Sequence, residues 1–354
     1  MEYLTDIHDS LKTINEVNIE YMDLFEHPEL FYGTTNFTGK HLDFCKYPKK
    51  ARDEISQFGQ GAVSEMNNLN SSSCGVRLRF KTNSKRLIFK VKFKRKWGYL
   101  KMVNWGSFGF DVYGVVGEEY VHRTVFAPSD GHDLFAEMID VPYNGQLCIF
   151  LPNYNTIEEL YMGIDEGSTV VTLPYPPKKR VPVLFYGNSV TQGAAASHSG
   201  NSFPNLVSKI LNRDIINISC SACCRGTDTM ADLIGQINCH TIVIDYTRNA
   251  YNIDVFKKTH ERFYKRVREH HPDKHIILMT SQSFNHWFDY DVFDEIVTET
   301  CFNAISNGED TDLVYQKELF DDDEYDMIAI DSTHYTDYAM NVVAKTICDL
   351  IERF

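Results

Sequence analysis

An apolar run that ends in a glycine and a serine constrains the fold of this 354-residue chain most strongly. Residues 183–187 read Val-Leu-Phe-Tyr-Gly, Ser189 follows two positions later, and small residues continue through Ala196. Such a run predicts a buried strand that stops at the edge of a parallel sheet. Ligands of open α/β sheets bind at the carboxyl ends of the strands. A serine at this position is therefore presented to a substrate.

The texture of the chain changes at a proline-rich segment over residues 173–180, where a helix cannot form. Before this segment, apolar and polar residues alternate, as in 76–80 and 89–94, which indicates half-buried antiparallel strands. Many short strands with turn residues between them are typical of a β-sandwich or jelly roll. We expect three parts: an arm or helix over residues 1–24, a β-sandwich domain over 25–175 and an α/β domain over 176–354.

After the proline-rich segment, predicted strands alternate with predicted helices, which indicates a parallel sheet covered on both faces. The predicted strands are 182–187, 214–219, 240–247, 275–281 and 313–317. The predicted helices are 201–211, 226–237, 253–270, 289–306 and 336–352.

Composition argues against several classes of function. With 35 basic and 49 acidic residues the net charge is −14, which disfavours binding to nucleic acid or to an anionic membrane surface. No stretch of apolar residues is long enough to predict a membrane-spanning helix. The first residues lack the basic and apolar regions of a signal peptide. Nine cysteines, irregularly spaced, favour reduced thiols, so we expect a cytoplasmic protein.

Two further segments supply partners for the serine at the same sheet edge. Asp331-Ser-Thr-His334 precedes the last predicted helix, and Asn249 follows the third predicted strand. A serine hydroxyl becomes a strong nucleophile when a base such as the imidazole of His334 takes its proton. A carboxylate, here Asp331, holds that ring in the required tautomer.

Acyl transfer also needs hydrogen-bond donors for the negative oxygen of the tetrahedral intermediate. The candidate donors are the backbone N–H groups of Ser189 and Ser219 and the side-chain amide of Asn249. Each residue has an ordinary alternative: a serine can cap a helix, and an asparagine can occupy a turn. The thiols of Cys220, Cys223 and Cys224 favour packing over metal binding, because no second Cys-x-x-Cys pair is present. We expect neither a metal nor another cofactor.

The motifs Gly187-Asn-Ser189-Val-Thr-Gln-Gly193, Asn249 and Asp331-Ser-Thr-His334 resemble, in this order, those of the SGNH (GDSL-type) serine hydrolases. The resemblance implies a flavodoxin-like three-layer α/β/α domain. It also implies that Ser189 is the nucleophile, that Asp331 and His334 supply acid and base, and that Asn249 serves the oxyanion hole. Relatives usually carry a glycine as the second backbone donor, and the sequence aligns Ser219 with it.

The first half carries a second resemblance. Ser107-Phe-Gly109-Phe-Asp111-Val-Tyr113 is similar to the Gly-x-Asp-Leu-Tyr signature of a β-rich domain that precedes SGNH domains in bacterial hydrolases. Together the two resemblances span residues 25–354 and imply an esterase of the carbohydrate-deacetylating kind. Its expected partner is a small acylated substrate, an acetylated sugar, with no nucleic acid and no membrane; association into a homo-oligomer stays open.

Two other functions stay open at this point. The serine in place of the usual glycine is compatible with a catalytically weakened scaffold that binds carbohydrate. A lipid or thioester acyl hydrolase would keep the fold and change the substrate. A deep apolar channel beside Ser189 would favour the lipid, and a shallow polar cleft would favour a sugar.

Overall fold

The computed structural model describes residues 14–35, 44–58, 60–95, 102–128, 134–282 and 290–353. Residues before the proline-rich segment form mainly antiparallel sheets, and residues after it form a parallel sheet with helices on both faces. No helix in these ranges combines the length and the apolar character that crossing a membrane requires.

Within the described residues, the first half contains ten strands in two antiparallel sheets and three α-helices. One sheet has the order β1-β9-β4-β7, and the other has the order β10-β3-β8-β5-β6 with β2 paired to β3. The strands are β1 Ile19–Asp23, β2 Phe31–Tyr32, β3 Arg77–Thr82, β4 Arg86–Arg95, β5 Phe110–Val116, β6 Glu119–Phe126, β7 Leu134–Asp140, β8 Gln146–Phe150, β9 Thr156–Asp165 and β10 Val170–Thr172. The helices are α1 Lys49–Ile55, α2 Gln60–Leu69 and α3 Asn104–Phe108.

The two sheets enclose one aromatic-rich core. Along β4, Leu87, Phe89, Val91 and Phe93 are all buried and face the other sheet. Phe89 stacks on Phe126 of the opposing sheet, with ring centroids 5.3 Å apart. The expected alternation of apolar and polar residues therefore gives the β-sandwich that the sequence predicts.

The N-terminal arm or helix expected over residues 1–24 differs from the structure where the chain is described. Ile19–Asp23 is strand β1, paired antiparallel with β9 along its whole length. Its five residues are too few to show the alternation of apolar and polar residues that predicts a strand. Its backbone pairs with the edge of β9, which only the tertiary structure brings next to it. Residues 1–13 of the expected arm lie outside the described ranges.

The second half is an α/β domain with five strands in the parallel order β12-β11-β13-β14-β15. This is the flavodoxin-like order, 2-1-3-4-5 in sequence. The strands are β11 Val183–Gly187, β12 Ile215–Asn217, β13 Thr241–Asp245, β14 His275–Met279 and β15 Thr311–Val314. The helices are α4 Ser189–Gln192, α5 Phe203–Leu211, α6 Asp228–Gly235, α7 Ile253–His270, α8 Asp291–Ser306, α9 Tyr325–Ile328 and α10 Asp337–Glu352.

Helices cover both faces of the parallel sheet, as expected for strands that are apolar on both sides. Helices α5 and α10 pack on one face, and α6, α7 and α8 pack on the other. Ala51 and Ile55 of α1 join the second of these cores, so a helix from the first half covers part of the α/β domain. The flavodoxin-like fold is thereby confirmed.

Arg77 joins the two halves of the molecule. Its side chain is fully buried, and its guanidinium donates hydrogen bonds to the Asp214 carboxylate, the Gly75 carbonyl and the Tyr175 hydroxyl. Asp214 immediately precedes edge strand β12. Gly75 packs so closely against this strand that an added Cβ would lie 2.5 Å from the Cβ of Asn217. The β-sandwich is therefore fixed against the edge of the parallel sheet.

We expect Arg77→Met to lower the free energy of unfolding by about 3–5 kcal/mol, because Asp214 would be left buried without its partner. Arg86→Met is the matched control, because the Arg86–Asp165 pair is partly exposed and such pairs contribute at most about 1 kcal/mol. Urea denaturation of both variants measures the difference. Equal losses would mean that Arg77 does not join the halves.

Candidate active site

The candidate site lies where the strand order of the parallel sheet reverses. Strand β11 lies between β12 on one side and β13 on the other. The chain passes from β11 to β12 and then crosses to β13 on the opposite side. Connections that diverge at such a point leave a crevice at the carboxyl ends of the two strands, where ligands bind. Ser189 follows β11, and Asn249 ends the 3₁₀ turn Thr247–Asn249 that follows β13.

The turn after β11 presents Ser189 as the first residue of the short helix α4. The helix is capped by Asn188, whose side chain accepts from the Val190 N–H at 2.8 Å, so Ser189 does not act as the cap. Gly187 is required at the end of the strand, since an added Cβ would lie 2.1 Å from the Thr191 hydroxyl oxygen. The Ser189 carbonyl accepts a hydrogen bond from Tyr154 at 3.0 Å.

The structure brings Ser189, His334 and Asp331 together across 145 residues of sequence. Ser189 Oγ lies 2.9 Å from His334 Nε2, and His334 Nδ1 lies 2.8 Å from Asp331 Oδ2. The His334 backbone N–H also donates to Asp331 Oδ1 at 2.9 Å. Ser332 adopts φ +71°, and this tight turn folds Asp331 back onto the histidine ring. A serine, an imidazole and a carboxylate in this chain of contacts can carry out nucleophilic acyl transfer.

Asn249 carries a buried amide donor at the end of the turn that follows β13. It is 4% exposed, and its side-chain nitrogen Nδ2 is buried with no hydrogen-bond acceptor among the described residues. A buried donor without a partner costs about 1–3 kcal/mol of stability, so its presence at a strand end needs a reason. A negatively charged oxygen that is present only during the reaction would supply one.

The expectation that Ser219 contributes a backbone donor is corrected by the structure. The Ser219 N–H already donates to the side-chain oxygen of Asn217 at 3.0 Å, and Ser219 is fully buried. Its carbonyl is held by the ammonium of Lys46 at 2.9 Å. Both backbone groups of Ser219 are therefore committed to the protein itself.

Ala222, three residues further on, lies at the cleft instead. It lines the cleft together with Ser189 and His334, and its φ of +59° is a left-handed conformation that favours glycine. No described residue accepts from the backbone N–H of Ser189 or of Ala222. The small-residue turn that begins at Ser221 was the sequence signal for this position. Because Ala222 is an alanine where a glycine would be expected, the sequence did not predict its left-handed conformation.

The cleft that contains the serine has a volume of ≈ 250 Å³, and the first half of the chain builds part of its wall. Glu65 of α2, Met102 and Tyr154 line it opposite Ser189 and His334. The sequence did not predict these positions at the cleft, because their place there depends on how the β-sandwich docks. A larger cavity of ≈ 390 Å³, lined by Arg225 and Tyr251 among others, includes neither Ser189 nor His334.

The buried carboxyl group of Asp245, at the end of β13, is hydrogen-bonded to residues next to the site. It accepts hydrogen bonds from Thr191 Oγ1 at 2.6 Å, Gln282 Nε2 at 3.1 Å and Gln316 Nε2 at 3.0 Å. Gln316 in turn accepts from the hydroxyl of Tyr335, which follows His334. Burial is the largest influence on this carboxyl group, and it raises the pKa of Asp245 to about 7 despite the three donors.

Residues 179–352 match the GDSL-like Lipase/Acylhydrolase family, and residues 22–170 match GxDLY, the N-terminus of Esterase_SGNH_hydro-type. The chain belongs to the GDSL-like lipase/acylhydrolase family. It is accordingly an ester-hydrolysing enzyme, and both resemblances drawn from its motifs are confirmed. No curated protein sequence matches this hydrolase significantly.

Solved structures similar to this hydrolase establish its fold. A putative GDSL-like lipase from Bacteroides ovatus is 19% identical, covers 95% of this chain and 98% of its own, and has a TM-score of 0.76. The salicylyl-acyltransferase SsfX3 from a tetracycline biosynthetic pathway is 16% identical, with coverages of 96% and 98% and a TM-score of 0.74. A family two carbohydrate esterase from Clostridium thermocellum, in complex with cellohexaose, is 14% identical, with coverages of 78% and 91% and a TM-score of 0.57.

We expect Asp245 to make this hydrolase less stable as the pH rises from about 4 to about 7. In that window the carboxyl group is ionised in the unfolded chain, whose pKa is about 3.9, but largely protonated in the folded protein, where burial raises the pKa to about 7. The unfolded state then binds fewer protons, so the free energy of unfolding falls with pH. Asp245→Asn removes this contribution.

Urea denaturation at pH 5 and at pH 8 measures the effect, and the difference between the two pH values should shrink in Asp245→Asn. Asp232→Asn is the control, because a hydrogen bond from Arg266 lowers the pKa of that carboxyl group to about 2 and it stays ionised throughout. An unchanged pH dependence in Asp245→Asn would contradict the assignment.

Proposed function

We propose that this hydrolase removes small acyl groups, O-acetyl groups above all, from carbohydrate esters through a covalent intermediate on Ser189. The contact that carries the proposal is the 2.9 Å separation of Ser189 Oγ and His334 Nε2, with Asp331 on the other side of the ring. This distance allows direct proton transfer from hydroxyl to imidazole.

In the first half of the reaction, His334 Nε2 takes the Ser189 proton while Oγ attacks the ester carbonyl carbon. The carbonyl oxygen becomes negative and accepts hydrogen bonds from the N–H groups of Ser189 and Ala222 and from Nδ2 of Asn249. Asp331 stabilises the imidazolium that forms. His334 then donates its proton to the leaving sugar oxygen, and the acyl group stays on Ser189.

In the second half, a water molecule takes the place of the departed alcohol. His334 removes a proton from this water, whose oxygen attacks the acyl carbon and forms the same kind of negative oxygen. The intermediate collapses, the carboxylic acid leaves, and Ser189 regains its proton from His334. No step needs a metal or an organic cofactor.

The size of the cleft supports a small acyl group, and its lining is mainly apolar with a few polar side chains. Its ≈ 250 Å³ is less than the roughly 300–1,000 Å³ of pockets that enclose drug-sized ligands. Met102 and Ile330 supply apolar contacts for a short acyl chain, while Glu65, Tyr154 and Ser221 supply polar groups for hydroxyls. The similar structures include carbohydrate esterases, which act on substrates of this class.

The two alternatives have less support. The weakened scaffold was suggested by Ser219 in place of glycine, but the donor that matters in this proposal is Ala222. A long lipid chain would need a longer apolar channel than a cleft of ≈ 250 Å³ offers.

We expect Ser189→Ala to lower kcat on p-nitrophenyl acetate by at least about a thousandfold, because the nucleophile is lost. Ser219→Ala is the matched control. It removes a buried hydroxyl that has no hydrogen-bond partner among the described residues, so its rate should equal that of the wild type. Equal rates for Ser189→Ala and wild type would rule out the mechanism.

We expect Asn249→Ala to lower kcat about 10²–10³-fold, equivalent to about 3–4 kcal/mol, with a smaller change in KM, because the lost hydrogen bond forms mainly in the transition state. Steady-state kinetics on acetylated xylo-oligosaccharides, followed by acetate release, measure both constants. Asn252→Ala, which removes a helix cap on the same loop, serves as the control. An unchanged kcat in Asn249→Ala would remove Asn249 from the oxyanion hole.

A further inference from the structure

Three side chains of types that can ligate a metal lie close together at the junction of the two halves of the molecule, away from the catalytic cleft. Asp111 lies on β5, His122 lies on the neighbouring strand β6, and His198 lies in the loop between α4 and α5. One ligand atom from each lies within 4.8 Å of the other two. We propose that these three residues bind one divalent transition-metal ion of the zinc type, which clamps the loop after the nucleophile to the β-sandwich.

The donor set suits zinc in number and kind. Two imidazole nitrogens and one carboxylate oxygen are common zinc ligands, and water can take the fourth position. Ligand atoms that lie about 2.0–2.2 Å from a tetrahedral ion are about 3–4 Å from one another. His122 Nε2 lies 3.1 Å from Asp111 Oδ1, so this pair already has the separation that a shared ion requires.

Asp111 supplies an independent indication of a ligand. The residue is completely buried, and its Oδ2 accepts from the Gly200 N–H at 2.8 Å, from Tyr113 at 3.2 Å and from His198. Its Oδ1 is also buried but accepts no hydrogen bond from any described residue, although His122 is close. A carboxylate oxygen in this position is costly unless something binds it. A metal ion between Asp111 and the two histidines would do so.

The charges around the three residues favour a cation. The carboxylate of Asp111 belongs to the site, and a second carboxylate, Asp337, accepts hydrogen bonds from Ser197 and Asn201 in the loop that carries His198. The nearby base is Lys209, whose ammonium donates to Tyr113 at 2.8 Å.

Binding requires two local adjustments. The contact between His198 Nδ1 and Asp111 must lengthen so that an ion fits between them. With metal on Nδ1, the ring proton resides on Nε2, so the Asn201 side chain, whose nitrogen now lies 3.1 Å from Nε2, must turn to present its oxygen. The side chains that must move, His198 and Asn201, are partly exposed, whereas Asp111 is buried and stays in place.

An ion at this place would act on the catalytic cleft through the chain. The loop that carries His198 begins directly after α4, and its residues Ala194 and Ala195 line the cleft beside Ser189. Fixing His198 to two strands of the β-sandwich would hold that wall in place. The ion is structural in this account and does not contact the substrate.

The test is calorimetric titration of Zn²⁺ into the full chain after dialysis against a chelator. We expect one ion per chain and a rise in the thermal midpoint that the chelator reverses. His122→Asn should weaken binding more than about tenfold, because one of three ligands is lost. His122 is half-exposed, so this variant should still fold, and circular dichroism checks that it does. His27→Asn, an exposed histidine elsewhere, should bind like the wild type.

Co²⁺ provides a second readout, because its visible absorption reports tetrahedral nitrogen and oxygen ligands in wild type and loses intensity in His122→Asn. The proposal is overturned if the wild type binds no Zn²⁺ saturably. It is equally overturned if folded His122→Asn and His198→Asn bind with unchanged affinity, because the ion would then lie elsewhere, for example at His334.

Discussion

The buried carboxylate of Asp245 is the group on which the geometry of the site depends. It accepts from Thr191 in the helix that carries the nucleophile, and through Gln316 it reaches Tyr335, the neighbour of His334. Hydrogen bonds to a charged group contribute about 1.5–3 kcal/mol each, and here they only partly offset the cost of burial, since the pKa stays raised. The burial of Asp245 thus lowers the stability of the fold, and its hydrogen bonds hold the segments that carry Ser189 and His334 at a fixed distance.

The sequence predicted the parts of this arrangement that follow from local pattern. Apolar runs identified four of the five parallel strands, whereas the fifth, predicted over 313–317, overlaps β15 Thr311–Val314 at only two residues. The spacing of Asp331 and His334 identified the pair, because a turn of three residues suffices to join them. It offered Ser219 as the second backbone donor, but the Ser219 N–H donates to Asn217 in the structure. The left-handed conformation of Ala222, on which our proposal of that residue rests, has no signal in the sequence. It could not place Glu65, Met102 or Tyr154 at the cleft, because their position depends on docking between distant segments.

The β-sandwich is therefore part of the enzyme's site as well as a separate layer of structure. Arg77 donates to the carboxylate of Asp214 just before β12, and Lys46 donates to the backbone carbonyl of Ser219 just after it. This segment leads to the turn that contains Ala222. Tyr154 holds the carbonyl of Ser189. A loss of contact between the halves would consequently disturb both the proposed oxyanion donors and Ser189, even though Ser189, Asp331 and His334 all lie in the α/β domain.

A crystal structure of the protein after reaction with a fluorophosphonate tests the central claim most directly, because the adduct copies the tetrahedral intermediate. The account predicts phosphorus bonded to Ser189 Oγ. It also predicts a phosphoryl oxygen within hydrogen-bond distance of the Ser189 and Ala222 N–H groups and of Asn249 Nδ2. Phosphorus on another residue, or a phosphoryl oxygen directed away from these three donors, would contradict it.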